Sequence, residues 1–181
     1  MTSLIHLNGP PGIGKSTLAA LWAERHPGTL NLDIDTLHRL VGGWRDPDNR
    51  THDVLRPVAL AMARAHLRGG RDVVLPQYLA RLEEIEEFEA VAVAAGADLR
   101  EVVLVAEPGE ASARFWRRED LTPWDAHNRL EVERLGGTAF LTALQERLSE
   151  VLAFRPGAVV VHADSDAVEV TYAGLEAALA R

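Results

Sequence analysis

Residues Gly9-Pro10-Pro11-Gly12-Ile13-Gly14-Lys15-Ser16 decide how this chain is read. They fit a glycine, four residues, then Gly-Lys-Ser, the pattern of a loop that cradles phosphates. The pattern needs a strand before it and a helix after it, and both are present. Ser3-Leu-Ile-His-Leu-Asn8 is a short apolar, β-branched run, and helical spacing resumes at Lys15 and continues to about Arg25. Glycines let consecutive backbone N–H groups turn inward around phosphate oxygens, and a helix N-terminus adds partial positive charge. Lys15 is placed to reach the β- and γ-phosphates, and the Ser16 hydroxyl to ligate Mg²⁺. With Thr17 the cradle spans Gly9 to Thr17. The cofactors it implies are a nucleoside triphosphate and Mg²⁺.

Outward from this loop, strands alternate with helical stretches. Thr29–Ile34, Asp72–Leu75, Glu101–Ala106 and Ala158–His162 read as four further strands. Helical spacing covers about 51–68, 81–95, 109–119, 138–153 and 165–180, with Pro57 expected to kink or delay the first of these. Ser165 reads as the start of the last helix. Such alternation predicts right-handed crossovers and a mostly parallel sheet between two helical layers. The stretches 42–47 and 121–137 read as loops, where function concentrates.

Composition narrows the class. The 181 residues suit one domain with at most a small mobile insertion. A formal net charge of −8 argues against a nucleic-acid or anionic-membrane surface. The absence of cysteine excludes disulfides, thiolate metal sites and Cys nucleophiles. No N-terminal basic-then-apolar signal and no run long enough to span a bilayer is present, so a cytoplasmic location is expected. Of the 19 basic residues, Lys15 alone is lysine. A compact ammonium persists where a planar guanidinium would serve less well. That same count rules out the Asn-Lys-x-Asp guanine signature.

Leu32-Asp33-Ile34-Asp35 closes the second strand. Strand alternation puts both carboxylates on one side, at the sheet end that borders the ligand crevice. One can hold Mg²⁺ (Asp33) and the other accept the proton of an attacking hydroxyl (Asp35). The competing reading is that one of them caps a short helix beginning near Thr36. The third strand ends in Leu75-Pro76-Gln77-Tyr78 without an acid, so a conventional Walker-B aspartate is missing. That disfavours a mechanochemical ATPase.

Together, the phosphate loop, the Asp33-x-Asp35 pair and the Arg-rich stretch after the fourth strand resemble the small P-loop kinases. These include shikimate and gluconate kinases and the chloramphenicol-phosphotransferase-like ATP-binding proteins. The resemblance implies a five-stranded parallel sheet in order 2-3-1-4-5 within one domain over 1–181. It implies a lid at about 114–137, an acceptor-binding segment at about 36–81, and γ-phosphoryl transfer to a small-molecule hydroxyl. In it Asp33 resembles the Mg²⁺-side acid and Asp35 the substrate-side acid.

Arg114-Phe-Trp-Arg117-Arg118-Glu-Asp120 begins the lid. Arg114 sits where these kinases stack an arginine on adenine, and Arg117 or Arg118 where a lid arginine meets phosphate. The alternative is a solvated face paired to Glu119 and Asp120. One or two helical turns are expected in the lid. The loop around Asp164 is where the family reads its base, with ATP preferred over GTP. Trp44, Arg45, Arg50, Gln77, Tyr78 and Arg81 are the acceptor-site candidates, the aromatics to stack on a ring and the arginines to bind an anionic group. Shikimate and nucleoside monophosphates are disfavoured as acceptors, because the Gly-rich and Asp-Gly-Phe-Pro-Arg loops that read them are missing. Pro76-Gln77-Tyr78 lies nearer the resistance-type members, which points to a nucleoside or other natural-product antibiotic. Non-catalytic ATP binding and nucleotide-sugar phosphorylation remain the alternatives. The expected species is a monomer or homodimer.

Overall fold

Side chains of the first strand, β1 (Ser3–Asn8), divide between two faces with period two. Leu4 packs into one apolar cluster, Ile5 and Leu7 into the other. The computed structural model describes residues 2–119, 121–164 and 167–180. β1 pairs in parallel with β3 (Val73–Leu75) on one side and β4 (Asp98–Val105) on the other. β2 (Leu30–Asn31) flanks β3, and β5 (Val159–His162) flanks β4, completing the order β2-β3-β1-β4-β5. Register is fixed by pairs such as Ile5 with Val74 and Arg100.

Helices α1 (Lys15–Arg25), α3 (Thr51–Arg68), α4 (Leu82–Ala94) and α8 (Val168–Leu179) cover the sheet. Leu55, Ala59 and Ala63 of α3 and Ile85 and Phe88 of α4 bury the Leu4 face. Leu18 and Trp22 of α1 and Tyr172 and Leu175 of α8 bury the Ile5 face. Apolar burial on both faces accounts for the near-continuous hydrophobic strands, Val73-Val74-Leu75 above all, which are fully buried.

Several local expectations change. The second strand stops at Asn31, because Asp33 leaves the sheet to cap α2 (Ile34–Leu37), where its carboxylate accepts the Asp35 N–H at 3.1 Å. Asp33 and Asp35 are therefore a helix cap and a first-turn residue, not strand neighbours. The stretch 121–137 is not a loop: α6 occupies Pro123–Arg134. Thr122 and Asp125 form a reciprocal capping box with Pro123 at the first helical position, enough to start a helix with little apolar periodicity. Its 12 residues exceed the expected one or two turns. Pro57 does not delay α3, which runs from Thr51 with the proline inside it. Helices α5 (Glu110–Arg117) and α7 (Thr138–Leu152) flank α6 in sequence. β4 begins at Asp98, three residues ahead of the expected Glu101. Ser165 lies outside the described residues, and α8 starts at Val168.

Candidate functional site

The phosphate loop leaves β1 at Asn8 and returns as α1. Gly14 takes φ 103° at the helix cap, a left-handed conformation that glycine alone adopts without strain. Gly12 is needed for space as well. With φ +84°, a Cβ there would stand 2.2 Å from the Ala111 carbonyl and 2.9 Å from the Phe115 nitrogen. α5 thus lies directly on the loop. Lys15 Nζ donates to the carbonyls of Gly9 at 2.8 Å and Pro10 at 3.0 Å. Burial brings its pKa down to about 8, against the attraction of Asp35 and Asp33.

Two side chains on the Leu4 face of β1 tie the loop to the end of β3. Asn8 donates to the Leu79 carbonyl at 2.8 Å and accepts from the N–H groups of Gly9 and Leu79. The ring of His6 donates to the Gln77 carbonyl at 2.9 Å, and burial keeps the imidazole neutral with a pKa of about 4. The Gln77–Leu79 stretch is therefore held in fixed relation to the phosphate loop. Sequence reading passed over both residues, since their partners lie 71 positions away.

A cleft of about 1140 Å³ opens over the loop. Residues 11–18 line its floor, with Asp35 beside them, and Gln77, Tyr78 and Arg81 line one end together with His52, Arg56 and Glu84. Arg114, Arg117, Arg118 and Arg129 line the wall made by α5 and α6, and Asp164 and Thr171 its far side. Asp35 is pushed up to about 6, first by burial and then by the neighbouring Asp33 carboxylate. The Trp124 indole N–H opposes the shift without forming a hydrogen bond of ordinary geometry. Asp33 is also raised by burial, and the Ser16 hydroxyl beside it works in the opposite direction. A serine hydroxyl next to a carboxylate is a hard-oxygen pair that suits Mg²⁺, which takes one or two protein ligands and completes its shell with water and phosphate. Among the described residues no cluster of three or more His, Cys, Asp or Glu forms an all-protein metal cage.

Cationic groups on the α5–α6 wall are only partly matched internally. Arg114 Nε and Nη2 are buried and make no hydrogen bond, although Glu110 lies 3.8 Å away. Buried guanidinium N–H groups normally find acceptors, and these two lie on a side chain that lines the cleft. Arg118 pairs with Asp125 at 2.7 Å rather than with Glu119, and Asp120 lies outside the described residues. Arg129 went unnoticed in sequence: its Nη2 donates to the carbonyls of Phe115 and Arg118, pinning the stretch that bears the other arginines. The Asp164 N–H is held by the Thr171 hydroxyl at 2.8 Å.

Trp44 and Arg45 are not brought to this cleft. They line a separate hollow over residues 39–46, where Arg45 sits 4.2 Å over the Trp44 ring. The reason is an aromatic cluster. Trp124 of α6 stacks on buried His38 with centroids 3.7 Å apart, and Trp44 leans on Trp124 and His127 from outside. Tyr78 faces the cleft, but its hydroxyl is committed to the Leu144 carbonyl at 2.8 Å.

Residues 4–135 match a family described as an AAA domain. No curated protein sequence matches the chain. Among solved structures, a gluconokinase from Sinorhizobium meliloti 1021 superimposes with TM-score 0.56 at 20% identity, covering 97% of this chain and 92% of its own. A protein from Chloroflexus aurantiacus J-10-fl, provisionally described as a kinase, gives 0.66 at 16% identity over 99% and 96%. A tunicamycin resistance protein from Deinococcus radiodurans gives 0.49 at 20% identity over 88% and 98%.

Proposed function

The chain belongs to the AAA domain family and has the fold of the small P-loop kinases, and on that premise we propose that it transfers the γ-phosphoryl group of ATP to a hydroxyl of a small molecule. One observation carries the reading: Lys15, Asp35 and the arginine wall of α5 and α6 line a single cleft whose other end is walled by polar side chains. A nucleotide-only pocket needs no such second chamber. Phosphoryl transfer needs positioning and charge stabilisation more than covalent chemistry, and arginines over a phosphate loop supply both.

In this mechanism Gly9 to Thr17 cradle the phosphates, with Lys15 leaving the Gly9 and Pro10 carbonyls for phosphate oxygens. Ser16 and Asp33 would hold Mg²⁺, which neutralises phosphate charge when bound. Asp35 orients the acceptor hydroxyl and takes its proton, at a pKa near 6 that leaves it ionised yet basic at neutral pH. Arg114 contacts the base, Asp164 borders it, and Arg117 and Arg118 close on the transferring group. The lid is assigned to about 114–137 and the acceptor segment to about 36–81. Gln77, Tyr78 and Arg81 are its cleft-facing members. The acceptor class proposed is a nucleoside or other natural-product antibiotic, phosphorylated in the cytoplasm by a monomer or homodimer.

A non-catalytic ATP-binding protein is the second reading, favoured by the missing acid at the end of β3. Purified protein with Mg-ATP and a library of hydroxyl-bearing antibiotics and metabolites, read by mass spectrometry, separates the two. The kinase adds one phosphate to some member, and Asp35→Asn abolishes transfer while ATP binding survives. ATP binding without transfer to any member, unaltered by Asp35→Asn, would overturn it.

A further inference from the structure

The arginines that could attract an anionic acceptor are already engaged from within the protein. Arg45 lies over Trp44, away from the cleft, and Arg50 pairs with Asp53 at 2.6 Å. At the acceptor end itself, Arg56 and Arg81 converge on one carboxylate oxygen, Glu84 Oε1, with Arg81 Nε donating at 2.7 Å. Glu84 is buried on α4, and its two partners come from α3 and from the N-cap of α4 itself. Arg56 has a second carboxylate, Glu87, at 3.8 Å. Two guanidiniums therefore face two carboxylates, and the charges of these four side chains cancel.

Anion recognition by arginine depends on a free planar fork. Here Arg56 donates through Nη2 to Glu84 and has Glu87 3.8 Å from its Nη1, and any acid approaching Arg81 meets the buried charge of Glu84 at close range. Arg147 of α7 lines the same cleft with no ion pair among the described residues, but it is exposed, where solvent screens a single charge to little effect. His52 does not add a cation either, since burial, then Arg56, pushes its pKa down. What remains beside Tyr78 and Trp124 is a polar chamber whose Arg56, Arg81 and Glu84 charges are matched internally and whose Arg147 is screened by solvent.

We infer that Glu84 is the specificity-determining residue of the acceptor end: as an internal counter-ion to Arg56 and Arg81 it excludes anionic acceptors and reserves the chamber for uncharged hydroxyl compounds. This rests on the reading of the cleft as an acceptor site.

The test is calorimetric, on the full chain with its phosphate loop saturated by Mg²⁺ and a non-hydrolysable ATP analogue. The probes are gluconate and its neutral counterpart sorbitol. Wild type gives no gluconate binding. Glu84→Gln, which keeps the shape and removes the charge, binds gluconate at least roughly tenfold more tightly than wild type. Adding Arg56→Gln and Arg81→Gln to that variant abolishes the gain. Gluconate binding to wild type as strong as to the variant would overturn the proposal, and so would a folded variant with no gain. Circular dichroism establishes folding; if Glu84→Gln does not fold, Glu84→Met, apolar and of similar length, takes its place. The wild-type arm stands by itself in either case. Loss of transfer to all acceptors with the gluconate gain intact counts against the kinase reading alone. Intact transfer with no gluconate gain counts against this one alone.

Discussion

A single carboxylate shows how function and stability pull apart at the scale of one residue. Asp35 titrates near 6 because burial and Asp33 both disfavour its charge. Lys15 titrates near 8 because burial disfavours its charge too. Transfer needs Asp35 ionised and Lys15 protonated, so kcat/KM is expected to rise through about pH 6 and fall through about pH 8. A steady-state profile across pH 5 to 9 checks this; a flat profile from 5 to 7 would remove Asp35 as the base. The same shift affects folding. The folded-state value lies above the unfolded one of about 3.9, so the native state binds this proton more tightly. Asp35 therefore costs stability in full above about pH 6, and the cost fades as the pH falls from there to the unfolded value of about 3.9, below which it is gone. Asp35→Asn is expected to stabilise the protein at pH 7 by about 1–3 kcal/mol, with the gain vanishing near pH 3.5. Denaturant midpoints at the two pH values measure it. Asp35 itself was legible in sequence, but its geometry was not. An alternating Asp-x-Asp looks the same whether it ends a strand or turns into a helix, and the Asp33 cap decides which.

At the scale of elements, α6 is the part that sequence patterning hid. Its polar composition gives almost no apolar stripe, and only the Thr122-Pro123-x-Asp125 start betrays it. Of its two buried apolar residues, Trp124 and Val132, the first stacks on His38, which itself bonds the Thr51 hydroxyl at 2.7 Å. Since His38 lies just after α2 and Thr51 opens α3, α6 is docked against that part of the fold and not merely joined to α5. Trp124→Ala is expected to cost about 3–5 kcal/mol, as for other buried tryptophans, and to lower Tm accordingly. Trp124→Phe keeps the stack but loses the N–H that favours the Asp35 carboxylate. Its acid limb of kcat/KM is expected to move to higher pH, because a carboxylate that loses a donor holds its proton more tightly. An unshifted limb would mean that α6 packs beside the base without acting on it. Helices with clear apolar periodicity, α3 and α4 among them, were within a residue of their expected bounds.

For the whole molecule, strand order was legible because alternation of short apolar strands with helices leaves few topologies for a parallel sheet. Charge pairing across the cleft was not, since Arg56 and Glu84 are 28 residues apart and on different helices. That topology puts the phosphate loop at the centre of the sheet, between β1 and α1, with α5 lying on Gly12. A ligand filling the cleft would touch the phosphate loop, α5, α6 and the loop before α8 at once. Binding at such a junction stabilises the native state as a unit, by RT ln(1 + [L]/Kd), or about 2.7 kcal/mol at a hundred times Kd. For a chain of this size that corresponds to a rise in Tm of roughly 5–10 °C. Mg-ATP is expected to produce such a shift in a thermal melt of the wild type. Lys15→Ala should give little or none, since an alanine cannot replace the ammonium at the phosphates. Gly12→Ala, folded or not, should show no shift either, because its Cβ forces α5 off the loop. A full shift in Lys15→Ala would mean that nucleotide binds elsewhere, and the cleft would then need another ligand.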